Sequence, residues 1–410
     1  MESDFAVIHP SEITKENVEA ALKTDKGSEA HLVSFTVQEC TKKGDNFATS
    51  VARVNVNFST EKGDDYVSYV VKYDPRRYKP LQDFLCICFQ KELSFYKHFV
   101  HEIQSQLQEV GQTPLRVPQC FHSSLEENRE VLFLEDLRPR GFKIFDRKRG
   151  LDVAQTKLIL EELARLHAAS YLLNTKDTDL PEKYPILNMD WLNYADNARR
   201  NTHDMYSSIM DSASKLLHLI GGYEVAVAWL AENKEIAAEM IGRALRREPP
   251  FAVLCHGDCW NNNVLVRYND EEVPEEVMLI DLQVVRHASL ATDLNYLFHT
   301  SVQGQILKDN LTSLLSHYHT CFGQVLKAGG CTPPFSLPDL MQEYRNHLPY
   351  GLLMCLLAVV FGLSEGVELS DSERRGTKEE QLLCAMKKKP KVRDIFLSTI
   401  NELMDNGIIT

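Results

Sequence analysis

The feature that most restricts the fold is a change of hydrophobic period about a third of the way along the chain. Residues 31–37, 50–58 and 65–73 alternate apolar and polar side chains and are rich in Val, Thr and Tyr, so each predicts a half-buried strand. Lys43-Gly44-Asp45-Asn46 and Glu61-Lys62-Gly63-Asp64 between them are turn sequences. A helix is expected at 89–108, with Phe89, Leu93, Tyr96, Val100 and Ile103 on one face, followed by strands at 119–123 and 130–134. A short amphipathic helix at 13–24 precedes them all. From about Val153 the spacing becomes helical: Ile159, Leu163, Leu166 and Ala169 share a stripe, and further helices are expected near 190–220, 223–246, 306–328, 338–363 and 391–406. The expectation is an α+β, two-lobed chain: a β-rich N-terminal lobe over 1–137 and a mainly helical C-terminal lobe over 138–410. With 410 residues and 44% hydrophobic content, two cores can be filled.

Composition removes several classes. A net charge of −13 argues against a phosphate-backbone binder, and Lys387-Lys388-Lys389-Pro390-Lys391, the one compact basic run, reads as a solvated turn. No nucleic-acid partner is expected. The longest apolar stretch, 351–363, is shorter than the roughly 20 residues a membrane span takes. The acidic start Met1-Glu2-Ser3-Asp4 lacks an apolar leader, and the ten cysteines show no CxxC pair, so reduced thiols and a cytoplasmic location are expected. Oligomeric state is left open.

One β-rich island interrupts the helical half, at 251–283. His256-Gly257-Asp258-Cys259-Trp260-Asn261-Asn262-Asn263 lies between two short strands, and Leu279-Ile280-Asp281-Leu282-Gln283 closes the next hairpin. Phosphoryl transfer asks a protein for positioning and charge neutralisation: one acceptor at the attacking hydroxyl and hard oxygen ligands for Mg²⁺. Asp258 and Asn263 are placed to face one cleft from opposite ends of their loop, and the hairpin returns Asp281 beside Asn263. Asp258 is the candidate base, and Asn263 and Asp281 are the candidate metal ligands.

This arrangement resembles the ecdysteroid-kinase-like (CHK-kinase-like) family, within the aminoglycoside phosphotransferase and choline kinase branch of the protein-kinase-like fold. That family carries His-Gly-Asp-x-Trp-x-Asn-Asn, intact here as His256 to Asn263. It also carries Asp-Phe-Gln, which stands here as Asp281-Leu282-Gln283. The resemblance runs from about residue 30 to 365. It implies that Asp258 is the catalytic aspartate and that Asn263 and Asp281 bind magnesium. It also implies that His256 and Asp293, the latter in Ala291-Thr292-Asp293-Leu294, brace the loop.

The N-terminal lobe would supply the nucleotide side, with ATP between the lobes. Lys72 ends an apolar strand and Glu92 follows on a helix, the pairing that aims a lysine at the α- and β-phosphates. Gly44 and Asn46 lie where a phosphate-covering loop belongs, and Glu135 and Leu137 would read the adenine edge through their backbones. The acceptor is expected to be a small-molecule hydroxyl, on an ecdysteroid or another lipophilic alcohol. The helical segments 184–246 and 338–363 are expected to line its pocket. Tyr184, Trp191, Tyr194, Tyr206, Trp229, Tyr344 and Tyr350 serve there as pocket wall or as core. A choline- or ethanolamine-type kinase, a catalytically silent binding module of the same fold and a metal-dependent hydrolase stand as alternatives. His167, His203, His317, His319 and His347 have no partner at metal or triad spacing and are set aside.

Overall fold

A computed structural model of the chain describes residues 7–8, 10–40, 49–73, 82–126, 129–145, 150–176, 180–190, 192–359 and 378–410. These fall into two compact units, one of Met1–Val100 with Val117–Phe142, the other of His101–Arg116 with Lys143–Thr410.

In the first unit β1 (Val7–Ile8), β2 (His31–Glu39), β3 (Ser50–Thr60), β4 (Gly63–Tyr73), β5 (Cys120–Ser124) and β6 (Val131–Glu135) build one sheet in the order β1-β2-β3-β4-β6-β5. Every pairing is antiparallel. The period-two reading of β3 holds: Ala52, Val54, Val56 and Phe58 are buried, and Val51, Arg53 and Asn55 between them are half-exposed. Helix Lys15–Lys26, capped by the Thr14 side chain, lays Val18, Ala21 and Leu22 on that face. Burying Val18 and Leu22 contributes about 1.5–3 kcal/mol each, so this face anchors the sheet. The second helix starts earlier than expected, at Gln82, because Phe84, Leu85 and Cys88 are buried as well as Phe89. It also carries a π-helical turn at Phe95–Phe99 before continuing as Val100–Glu109. Phe95, Tyr96 and Phe99 of that turn are all buried.

In the second unit the 24-residue helix Val153–Lys176 buries Ile159, Leu163, Leu166 and Ala169 as expected. It lies among helix Gly304–Ala328 and the strands of the island. The described strands of this unit are β7 (Lys143–Ile144), β8 (Ala252–Cys255), β9 (Val264–Tyr268), β10 (Pro274–Leu279) and β11 (Arg286–Ser289), arranged as β10-β9-β7 and β11-β8. Two expected helices are broken. The 223–246 segment forms Glu224–Asn233, a 3₁₀ turn at Lys234–Ile236 and Ala237–Ala244. The 338–363 segment splits at His347 into Leu337–Asn346 and Leu348–Ala358, because Pro349 has no N–H and so takes the first turn of a new helix. Helix Ala291–Ser301 was not expected: all its residues are buried, polar ones included, so it has no amphipathic stripe to read. Lys389 sits at the turn between helices Lys378–Lys388 and Pro390–Asp405, with Lys387 and Lys388 exposed. Among the described residues no helix is long and apolar enough to cross a membrane.

Candidate active site

Two antiparallel pairings set the loop. Arg286 of β11 lies opposite Cys255 of β8, and Leu279 of β10 lies opposite Val264 of β9. The Ile280 N–H then donates to the Asn263 carbonyl at 3.0 Å, so the chain delivers Asp281 next to Asn263. Gly257 has φ of +84°, and a Cβ there would meet the Val284 carbonyl oxygen at 2.3 Å, so only glycine fits this bend.

Asp258 and Asn263 stand side by side rather than at opposite ends of the loop. The loop curls back through an Asn263 N–H to Trp260 carbonyl bond of 2.9 Å. Asn263 Nδ2 then donates to the Asp258 backbone oxygen at 3.0 Å and to its Oδ2 at 2.8 Å. With the amide nitrogen engaged by two acceptors, Oδ1 of Asn263 is the atom left to face a cation. The other carboxylate oxygen of Asp258 accepts from the Tyr296 hydroxyl at 2.5 Å.

Burial, and then the negative charge of Asp281, push the Asp258 carboxyl up to about 7. Hydrogen bonds from Tyr296 and Asn263 and the charge of Arg286 oppose the rise. Asp281 has φ of +62°, an uncommon left-handed conformation for a non-glycine residue, and Gln283 Nε2 holds its Oδ2 at 3.1 Å. Two neighbouring carboxylates beside an amide oxygen form a hard-oxygen donor set, and that chemistry fits Mg²⁺.

Beneath the loop, Asp293 takes three donors. Its oxygens accept the His256 N–H at 2.6 Å, the Gly257 N–H at 2.8 Å and His167 Nε2 at 3.1 Å. Burial alone would raise the Asp293 carboxyl, but the hydrogen bond and charge of His167 lead the interactions that hold it below the usual carboxylate range. His167 is fixed in turn by Tyr318, whose hydroxyl lies 2.7 Å from Nδ1. His256 lies 3.1 Å from the Ile280 carbonyl through Nε2, and its Nδ1 accepts the Asp258 N–H at 3.3 Å, which makes Nε2 the protonated nitrogen. Arg286 donates to the Gly257 carbonyl at 3.0 Å and to the Tyr350 hydroxyl at 2.6 Å.

Tyr296, Arg286 and Tyr318 were not singled out as site residues from the sequence, Tyr350 was read as pocket wall or core, and His167 was set aside as packing. Arg286 alone left a signal, a lone charge inside the apolar run Val284-Val285-Arg286-His287-Ala288. Of the aromatics expected as pocket or core, Tyr206, Tyr344 and Tyr350 are core, and Trp191 lies outside the described residues. A pocket of about 410 Å³ does open between the 223–246 segment and the helix pair 337–358, lined by Trp229, Met240, Arg243, Glu343 and Tyr350. It also touches Ser289, which pairs with Ala252 at the end of β11 remote from the loop.

In the first unit Lys72 and Glu92 meet as the sequence spacing suggested. Lys72 Nζ lies 2.8 and 2.7 Å from the two Glu92 oxygens, and the residues are 9% and 1% exposed. The Glu135 N–H donates to the Gln119 carbonyl at 2.8 Å, and the Leu137 carbonyl accepts from Arg140 and Phe142 at 3.1 and 3.2 Å. Gly44 and Asn46 lie outside the described residues.

The sequence profile of the ecdysteroid kinase-like family matches residues 43–330. No curated protein matches the chain in sequence. Among solved structures, an ethanolamine kinase from Plasmodium vivax aligns over 96% of this chain and 90% of its own, with 12% identity and a TM-score of 0.43. An aminoglycoside phosphotransferase from Streptomyces rimosus aligns over 83% and 99%, with 14% identity and a TM-score of 0.34. A glucosamine kinase solved with glucosamine, ADP and inorganic phosphate aligns over 91% and 82%, with 10% identity and a TM-score of 0.37.

Proposed function

The chain belongs to the ecdysteroid kinase-like family, and from that premise we propose that it moves the γ-phosphoryl group of ATP onto a hydroxyl of a lipophilic alcohol of the ecdysteroid type. The observation that carries this reading is the pairing of Asp258 and Asp281 next to Asn263 Oδ1. One of these acids is positioned by a tyrosine and an amide, and the other stands at the end of the adjoining hairpin.

Asp258 accepts the acceptor's hydroxyl proton as the new O–P bond forms and ADP departs. Asn263 and Asp281 hold Mg²⁺, which neutralises phosphate charge when bound. Tyr296 and Asn263 fix the base carboxylate from both oxygens, and Asp293 keeps the loop backbone beneath it in place. Lys72, oriented by Glu92, is the phosphate contact of the first unit. Recognition of adenine by Glu135 and Leu137 falls to the Glu135 carbonyl and the Leu137 N–H, because the partner groups of those residues are already hydrogen-bonded.

The test is acceptor-dependent ADP release across a panel of sterols, phenols and amino alcohols, run with wild type, Asp258→Ala and Asp281→Ala. The expected outcome is turnover of a hydroxylated lipophile. It should be lost by roughly 10²–10⁴ in Asp258→Ala while Mg·ATP still binds, and Asp281→Ala should lose the Mg²⁺ dependence of nucleotide binding. Turnover confined to amino alcohols would move the acceptor class. Mg·ATP binding with no turnover of any acceptor would favour a binding module. Near-normal phosphorylation by Asp258→Ala would remove the base.

A further inference from the structure

We propose that Glu161, His317 and Cys321 form a zinc-binding site on the outer side of the helix pair Val153–Lys176 and Gly304–Ala328. His317 and Cys321 are four residues apart on one helix and therefore share a face, and Glu161 reaches them from the other. One donor atom from each residue lies within 4.8 Å of the other two. Glu161 Oε1 is 3.0 Å from His317 Nε2, and Cys321 Sγ is 3.8 Å from the same nitrogen.

Three donor atoms converge here from two helices, and the one ring nitrogen cannot serve both neighbours at once. A ring nitrogen has a single in-plane position for a proton or a lone pair. If Nε2 carries the proton and gives it to Glu161, the Cys321 thiol has no acceptor there. If Nε2 is bare and accepts the thiol, it faces a carboxylate oxygen with nothing between them. A cation at the common centre satisfies all three lone pairs together. Tetrahedral zinc holds N, O and S donors at about 2.0–2.3 Å, which sets them about 3.3–3.7 Å apart. The observed separations bracket that spacing. Glu161 and His317 are 34% and 26% exposed, so a water completes the fourth position. Arg165, the cation whose charge acts on Cys321, directs its guanidinium to Glu162 at 2.5 Å and Thr113 at 2.6 Å. Burial first, and the charge of Glu161 second, push the Cys321 thiol up, so zinc must displace a proton to bind.

The site has a structural consequence. His317 adjoins Tyr318, and Glu161 shares its helix with His167. From the inside, Tyr318 and His167 hold Asp293 under the catalytic loop. An ion on the outside ties the same two helices together.

The test uses the full chain, stripped with chelator under reducing conditions and titrated with Co²⁺ alone. Expected is one equivalent giving a thiolate-to-cobalt charge-transfer band with four-coordinate visible bands, bleached by added Zn²⁺ and absent in Cys321→Ser. Zinc should also raise the melting midpoint of wild type but not of Cys321→Ser. Glu161→Gln keeps the thiol and should weaken cobalt binding at least tenfold, so the site is judged even if Cys321→Ser misfolds. Asp281→Ala should keep the band, which separates this ion from the proposed magnesium. No band in wild type, an equal band in Cys321→Ser, or unchanged affinity in Glu161→Gln would each overturn the site.

Discussion

The two units treat buried charge in opposite ways. In the first, Lys72 and Glu92 are opposite charges, the Lys72 ammonium meeting both Glu92 oxygens. In the second, Asp258 and Asp281 are like charges set near enough that one raises the proton affinity of the other. The first pair sets a positive charge against a negative one. The second sets two negative charges near one another, and on the proposed function a cation would offset them. Side by side, they show that a charged residue held within a self-neutralising pair reports on preorganisation, and a mutually repelling one reports on a ligand.

The contrast can be broken most forcefully at Glu92. Glu92→Gln removes the carboxylate that Lys72 meets through both oxygens, and the unfolding midpoint should fall by an amount corresponding to about 3–5 kcal/mol. A midpoint within error of wild type would mean that the pair is not the fixed element described.

At Asp258 the sign reverses. The folded chain holds the Asp258 proton up to about 7, against an ordinary value of 3.8. Ionisation therefore costs stability as pH rises from roughly 4 through 7. Asp258→Asn keeps both hydrogen-bond directions, since the Tyr296 hydroxyl can turn to accept. In chelator it should be more stable than wild type above pH 7 by about 1–3 kcal/mol, a figure lowered because Asp258 is only partly buried. The gap should close towards pH 4 and narrow when Mg²⁺ is added. A pH-independent gap would show that repulsion is not its source.

The finest distinction is at Tyr296. Tyr296→Phe removes one of the two clamps on the base, and kcat should drop about tenfold with the KM for ATP unchanged. Equal losses in both constants would assign Tyr296 to binding instead.

The contrast also marks what could be read from sequence. Lys72, Glu92 and the His256–Asn263 loop were legible because each sits on a short-range pattern: a strand end, a helix face, a loop between alternating strands. The sheet of the first unit was legible for the same reason, since a period of two survives in Ala52, Val54, Val56 and Phe58. Tyr296, His167 and Tyr318 were not, because each acts across a long stretch of chain from a helix position that also suits ordinary packing. Helix Ala291–Ser301 hid for a related reason. Burial on every side erases the polar–apolar contrast by which helices are found. The same distance concealed the meeting of Glu161 and His317, which lie 156 positions apart.

Asp293 grips the loop by the main-chain N–H groups of His256 and Gly257, not by any side chain that does chemistry. The loop backbone is thus anchored separately from the side chain at 258, which Asn263 and Tyr296 hold. On the proposed function, a single codon change there is expected to give a chain that still captures its ligands and no longer converts them, which would make enzyme and receptor neighbours in sequence space.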